Sequence, residues 1–345
     1  MATILGIEST CDETGASVVV DGVDVRSNVV ASQVDLHARY RGVVPEIASR
    51  AHIENILPVI GESLDAAGIS LREIDAIAVA HRPGLIGSLL IGVTAAKTLA
   101  WSLGKPLIGV DHVQAHLYSV VLEKGAAPLM PAVGLVCSGG HTALYRVNDW
   151  LDIALIGSTI DDAVGEAYDK VAAILNLGYP GGPILDRLAA QGDPDAVRFP
   201  RTLLERDSLD FSFSGLKTAV LYHVRGVPGR GQDVKARQPR HIDEHDLQNI
   251  AASFQAACID VIVEKLCRAA DRIAARSVII GGGVSANQGL RAVLEKFALP
   301  VFFPALPYCT DNAAMSAGLG HICFQNGRLS DLSLDAITYS ALQRS

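Results

Sequence analysis

A strand, a short polar turn and a second strand occur twice in this chain, and that repetition constrains the fold more than any other feature. Residues 2–22, "ATILGIESTCDETGASVVVDG", place two apolar runs on either side of "STCDET". Residues 131–147, "PAVGLVCSGGHTALYRV", repeat the device around "CSGGHT". Each reads as a β-hairpin opening its own half of the chain. No short-period repeat is visible, so the pattern predicts a duplicated domain rather than a solenoid. With 345 residues the chain exceeds one ordinary core and suits two.

Between and after the hairpins, helices and strands alternate, which predicts an α/β protein. Helical periodicity runs from Glu46 to Ala67, and "IDAIAVAH" follows as a strand. "GSLLIGVTAAKTLAWSLG" reads as a buried helix ending at a glycine; Gly87, Gly92 and Lys97 interrupt it too often for a comfortable membrane span. "PLIGV" is a short strand, "HDLQNIAASFQAACIDVIVEKLCRAADRIA" a long amphipathic helix, "SVIIGGG" a strand and "SANQGLRAVLEKFA" the next helix. "MATILGIEST" runs straight into a strand without a basic n-region, so no signal peptide is expected, and six cysteines without a C-x-x-C pair predict free thiols in a reducing, cytoplasmic setting.

The formal net charge of -8 opposes general nucleic-acid binding, so any such contact needs a local basic patch. Residues 225–242, "RGVPGRGQDVKARQPRHI", are one candidate. They read either as a solvated loop or as a flap that touches phosphates.

Several constellations carry chemistry. In "VDHVQAHLY", His112 and His116 are four apart and share a helix face behind the cap Asp111. Such a pair is either chance or a metal site; Asp311, opening another helix in "PYCTDNAAM", is a third donor. Two imidazoles and a carboxylate leave open positions, the pattern of a catalytic ion. Val113 stands where the H-E-x-x-H motif has glutamate, which disfavours a metalloprotease. "SGGHT" and "YPGGP" offer backbone N–H groups for an anion or are plain turns. Gly281, Gly282 and Gly283 deliver a strand to a helix start and suit a nucleotide, though not through G-x-G-x-x-G. In "IDDAVGEAYDKVA", Asp161 and Asp162 read as helix caps, and Asp169 as a surface acid or an acceptor for a ligand hydroxyl.

Nine ordered motifs then carry a resemblance: "GIESTCDET", "GVVPEIASRAHI", "DHVQAHLYS", "SGGHT", "DDAVGEAYDKVA", "YPGGP", "FSFSGLKTAV", "GGGVSANQ" and "YCTDNAAM". Over nearly its whole length the chain resembles the universal tRNA threonylcarbamoyladenosine transferases, the TsaD family. The resemblance implies an actin-like ATPase fold of the sugar-kinase kind, two α/β domains around a nucleotide cleft. The expected boundaries are 1–130 and 131–311, with a helix within 312–345 rejoining the first domain. It implies transfer of the threonylcarbamoyl group from L-threonylcarbamoyl-AMP to N6 of the adenosine 3′ of the anticodon in tRNAs reading ANN codons, with release of AMP.

By motif matching the metal ligands would be His112, His116 and Asp311, holding Fe2+, with Zn2+ or Mg2+ as alternatives. Val136, Cys137, Ser138, Gly139, Gly140, Asp169, Gly182, Asp186 and Asn287 would contact the adenylate, and Glu13 would face its phosphates. Because the acyl group arrives activated, the ion would act as Lewis acid and template, without a bound hydroxide. Implied partners are tRNA, a paralogous TsaB-like dimer partner, a small TsaE-like ATPase and an upstream threonylcarbamoyl-AMP synthase, with a homodimer when alone and no membrane.

Rival readings are an O-carbamoyltransferase or another ATP-binding actin-fold enzyme, which share the cleft, and a non-enzymatic paralogue, which would lack the histidine pair. Arg41 stands where the family usually has glycine. His81 and Arg82 stand where a small residue and glycine usually precede Pro83. These departures are expected to touch the partner or tRNA surface, not the metal motifs, with Arg41, Arg82 and the loop arginines forming the basic patch.

Overall fold

The computed structural model describes residues 1–40, 42–227 and 241–342; Arg41 and all but the ends of the basic segment lie outside the described residues. Two five-stranded sheets share one design. In the first, β1 (Thr3–Glu8), β2 (Glu13–Val20) and β3 (Asp24–Ser32) form an antiparallel meander. β4 (Ala76–Arg82) and β5 (Leu107–Asp111) continue beyond β1 in parallel, giving the order β3-β2-β1-β4-β5. In the second, β6 (Ala132–Cys137), β7 (Thr142–Asp149) and β8 (Asp152–Ser158) form the meander. β9 (Ser277–Gly281) and β10 (Val301–Phe302) extend it in parallel, giving β8-β7-β6-β9-β10. The duplication expected from the two hairpins is therefore present. Each hairpin gains a third strand that the sequence pattern hid: β3 and β8 are edge strands, partly exposed along most of their length.

Helices layer around the sheets. After the short α1 (Val34–Ala38), α2 (Pro45–Ala67) and α3 (Ile86–Leu103) share one core with the first sheet. Proline opens α2, and Gly68 and Gly104 close the two helices in the left-handed region at φ 69 and 63. α3 is the one described helix long and apolar enough to cross a membrane by length and composition. It is not wholly buried as expected: Leu89, Val93 and Ala96 face the core while Trp101 is 73% exposed.

α4 (His112–Tyr118) leaves β5 directly. α5 (Val164–Ile174), α6 (Gly181–Ala189), α7 (Ser214–Arg225), α8 (Glu244–Ile273) and α9 (Gln288–Leu294) share a core with the second sheet. α10 (Ala313–Gln325) packs against β1, β2, β4 and β5 and against α4. A central core joins both sheets through these two helices: Ile4 and Ala78 on one side, Val136 and Ile279 on the other, with Ala115, Leu117, Met315 and Leu319 between. Small residues allow the close approach. A Cβ on Gly6 would lie 2.2 Å from the Ala313 carbonyl oxygen, and one on Gly281 would lie 2.4 Å from that of His116.

Two local expectations change. The helix expected over 285–298 starts only at Gln288, after a 3₁₀ turn at Gly283–Ala286, because Asn287 turns extended and caps it through Leu290 N at 2.7 Å. Asp161 and Asp162 do not cap the helix they precede, which starts behind Ala163 without a side-chain cap. Asp162 pairs instead with Lys170 (2.6 Å) and Lys217 (2.8 Å). Asp161 accepts from the Ser212 and Ser214 hydroxyls (2.6 and 2.7 Å) and from Phe213 N (2.9 Å), pinning the start of α7.

Burial works against the Asp161 charge, but the Ser212 and Ser214 hydroxyls and backbone amides outweigh it and hold its pKa below the usual 3.8. Its contribution is therefore present above pH 3.8 and lost as pH falls through the depressed folded value. Asp161→Asn is expected to cost about 1 kcal/mol in urea unfolding at neutral pH. The difference should close in strong acid.

Candidate metal centre

His112 is the first residue of α4 and His116 lies one turn on, so both imidazoles leave the same face. The helix starts there because Asp111 Oδ1 accepts from Val113 N (3.0 Å) and Gln114 N (3.4 Å), as the sequence predicts. Asp311 precedes Asn312, whose side chain accepts from Met315 N at 3.0 Å and caps α10. The two helices of the central layer thus aim three donors at one point. His116 Nε2 lies 3.0 Å and His112 Nε2 3.5 Å from Asp311 Oδ1. All three donor atoms fall within 4.8 Å of one another.

A fourth residue, Glu8, fixes the arrangement. It is fully buried at the end of β1, with Oε2 3.2 Å from His112 Nδ1 and accepting from Ser316 Oγ at 3.3 Å. Its Oε1 accepts from Thr10 N at 2.9 Å. A carboxylate on Nδ1 keeps the proton there and leaves Nε2 lone-paired for an ion. Glu8 had no assigned role in the sequence, although a carboxylate ending the apolar run "ILGIE" is the signal that could have found it. Glu8→Gln is expected to weaken divalent-metal affinity about 10-fold, the low end for such a partner, in a chelator-competition titration.

Burial opposes charge throughout the site, yet the facing Glu8 and Asp311 carboxylates outweigh it and raise the His112 pKa well above 6.5. Burial and the His112 charge push His116 down. Asp311, despite burial, is held well below 3.8 by His112 and His116. Glu13, opening β2, is pushed up to about 10 by burial and then by Asp311 and Asp12. Burial and the neighbouring carboxylates both favour neutral Glu13, and a divalent cation on the Nε2, Nε2 and Oδ1 donors would offset that negative charge. The donor set therefore fits a catalytic metal ion with open positions.

The other expected residues lie on β6, the turn after it, and the helices that pack with the second sheet. Val136 and Cys137 end β6 with buried side chains and can offer a ligand only backbone. The Ser138 turn closes on His141, with Ser138 N donating to His141 O at 2.8 Å and His141 N to Ser138 Oγ at 3.1 Å. A Cβ on Gly139, Gly140 or Gly182 would meet nothing within 4 Å, so packing does not require glycine there and the space lies open to a ligand. Asp169 accepts from Gly181 N at 2.7 Å and so braces the "YPGGP" loop, a role neither reading of it anticipated. Burial raises its pKa, opposed by the loop amides, and Asp12 of the first hairpin is near enough to add to the rise.

Asp186 and Asn287 meet at the start of α9. Asp186 Oδ2 accepts from Gln288 N (2.9 Å), and its Oδ1 accepts from Gln255 Nε2 (3.1 Å). Asn287 Nδ2 donates to Gln255 Oε1 at 2.7 Å. Gln255, on α8, is a member of this network that sequence reasoning missed. The three glycines of "GGG" divide their work: Gly281 admits the His116 turn, Gly282 adopts φ 84 against the Cys137 carbonyl, and Gly283 opens the 3₁₀ turn.

Arg82, expected to leave the metal motifs untouched, is a partly exposed residue at the end of β4. It lies 3.6 Å from Asp111, the cap of the metal helix, so this departure does touch the metal motif.

The profile of the family described as "TsaD: tRNA N6-adenosine threonylcarbamoyltransferase" matches residues 24–318. The tRNA N6-adenosine threonylcarbamoyltransferase of Moorella thermoacetica is 50% identical over 338 residues, covering 97% of this chain and 95% of the relative. The chain belongs to the TsaD family. The Geobacillus kaustophilus enzyme of the same name is also 50% identical, covering 96% of this chain and 95% of that one. Among solved structures, the HypF of T. kodakarensis superposes with a TM-score of 0.61 at 16% identity, over 96% of this chain and 49% of that chain. Component A of the Acidaminococcus fermentans (R)-2-hydroxyglutaryl-CoA dehydratase gives 0.52 at 13% identity, over 93% and 98%. At that identity the likeness concerns the fold alone, which is the actin-like one of two duplicated α/β units. Within this fold, the expected donors His112, His116 and Asp311 are the ones that converge.

Proposed function

We propose that this protein transfers the threonylcarbamoyl group of L-threonylcarbamoyl-AMP to N6 of the adenosine 3′ of the anticodon in tRNAs reading ANN codons. The observation that carries the reading is the convergence of His112, His116 and Asp311, braced by Glu8, in a chain about 50% identical to transferases of that name. The reaction joins N6 to the carbamoyl carbon, breaks the bond from that carbon to the phosphate oxygen, and releases AMP and a proton. His112, His116 and Asp311 would hold the metal ion, which supplies Lewis acidity and a template for phosphate and acyl oxygens. Fe2+ is our assignment, with Zn2+ and Mg2+ as alternatives that the same donors accept.

The protein's own groups bind and orient. The open backbone at Gly139, Gly140 and Gly182 receives the adenylate from the second sheet, with Val136, Cys137 and Ser138 contributing main chain. Asp169, Asp186 and Asn287 brace that surface and meet the ribose and base. Glu13 faces the phosphates across the cleft. We take the two lobes as 1–130 and 131–311, with the helix within 312–345 returning to the first. A tRNA substrate places the reaction in the cytoplasm. A TsaB-like partner, a TsaE-like ATPase and an upstream synthase complete the system, with a homodimer in their absence. The alternative of O-carbamoyl transfer shares the cleft and the histidine pair, but such enzymes usually carry further domains, and the HypF likeness covers 49% of that chain.

The test is reconstitution with those partners, labelled threonylcarbamoyl-AMP and tRNA reading ANN codons, followed by nucleoside analysis. Label is expected in modified adenosine with the unsubstituted chain and not with His112→Ala. Label reaching water alone, or appearing equally with His112→Ala, would contradict the reading.

A further inference from the structure

The C-terminal segment after α10 carries no helix, yet a series of bonds seats it along the edge of the first sheet and leads it to the metal helix. Ser330 N donates to Leu107 O at 2.8 Å, and Ser330 Oγ accepts from Gly109 N at 3.0 Å. Lys97 Nζ donates to Leu334 O at 3.0 Å. The Leu334 side chain lies against β5 so closely that a Cβ on Gly109 would come within 2.7 Å of it. His81 then grips the segment from both sides: its Nδ1 lies 2.9 Å from Asp335 O, and its carbonyl accepts from Ile337 N at 2.9 Å. The chain ends its described course on Asp111, whose Oδ2 accepts from Ser340 Oγ at 2.7 Å and Ala341 N at 3.0 Å.

Asp111 is therefore saturated. One oxygen caps α4 and the other is held by the segment, which uses up the lone pairs of a carboxylate. It is 4% exposed, and its ion-pair partner among the described residues is Arg82. Arg82 Nε is buried and has no acceptor within hydrogen-bond distance, so the Asp111 carboxylate 3.6 Å away has no competitor for it. A buried carboxylate needs a countercharge as well as donors. His81 and Arg82 are two of the positions where this chain departs from the usual family residues, and both act on the same assembly.

We propose that His81, Arg82 and the C-terminal segment 330–342 form a clasp that positions the metal helix through Asp111. His112 is the residue after Asp111, so the direction of the cap sets the direction of the first imidazole. His81, Arg82 and Ser340 are positioning residues; none touches the ion. The inference rests on His112 and His116 being metal ligands.

The experiment is a Co2+ titration of the purified full-length chain, following the visible d–d bands, with thermal unfolding recorded alongside. Arg82→Gln and Ser340→Ala are each expected to weaken Co2+ binding about 10-fold and to alter the band shape, as loss of an outer-shell partner does. Because both act on one carboxylate, the double variant should fall short of the product of the two effects. Arg82→Lys should recover most of the affinity. Ser340→Ala removes one hydroxyl from the segment and decides the matter if Arg82→Gln does not fold. Co2+ affinity within twofold of the unsubstituted chain, with unchanged bands, would overturn the clasp while leaving the metal centre standing. Failure of the unsubstituted chain to bind Co2+ would overturn the metal reading and the clasp with it.

Discussion

Asp311→Asn is expected to leave a folded chain that no longer holds a divalent cation and no longer modifies tRNA. Asp311 is the shared centre of the site, within 3.0 and 3.5 Å of the two Nε2 atoms. Loss of a direct ligand should exceed the roughly 100-fold that marks removal of an outer-shell partner. Stability should respond much less, because the buried His112 ring loses one facing carboxylate but keeps Glu8 3.2 Å from its Nδ1. Metal content and tRNA modification, measured beside a urea unfolding curve, separate the two. A variant that still binds metal within a few-fold would contradict the assignment of Asp311.

Gly281→Ala is expected to disturb the same site without touching a ligand. The added Cβ would lie 2.4 Å from the His116 carbonyl oxygen and 2.8 Å from its carbon. Both are backbone atoms, so no side chain can rotate aside, and β9 or α4 must move. Overpacking of this kind costs about 1–3 kcal/mol. The displaced turn carries His116, so metal affinity should fall along with stability. Gly139→Ala is the control, since its Cβ would meet nothing within 4 Å. It should leave unfolding and metal affinity unchanged and weaken only adenylate binding. Unfolding curves and a metal titration on the two variants check the contrast; equal behaviour would contradict it.

Much of this architecture was legible because strong local patterns agreed with the global fold. The paired hairpins announced the duplication, and Gly68 and Gly104 lie in the left-handed region that closes a helix. The metal donors were legible because a four-residue spacing fixes a helix face, and because Asp111 is a helix cap that reads well in sequence. What escaped depends on contacts between distant residues. Glu8 reaches His112 across 104 positions, and Arg82 reaches the cap of α4 only because β4 and β5 lie side by side. Asp161 looked like a cap for the nearest helix and instead pins α7, 52 positions away at Phe213. Asp186 and Asn287 carry resemblance-derived roles at the cleft, yet their visible work is to hold the start of α9 together with Gln255.

The central claim is that one divalent cation sits where α4 and α10 converge. A crystal of the metal-loaded protein, with diffraction recorded on either side of the absorption edge of the metal, tests it most directly. The account predicts one strong anomalous peak per chain, about 2.0–2.2 Å from His112 Nε2, His116 Nε2 and an Asp311 oxygen, with Glu8 on the far side of the His112 ring. A peak elsewhere, or one that leaves any of those three residues outside coordination distance, would contradict it.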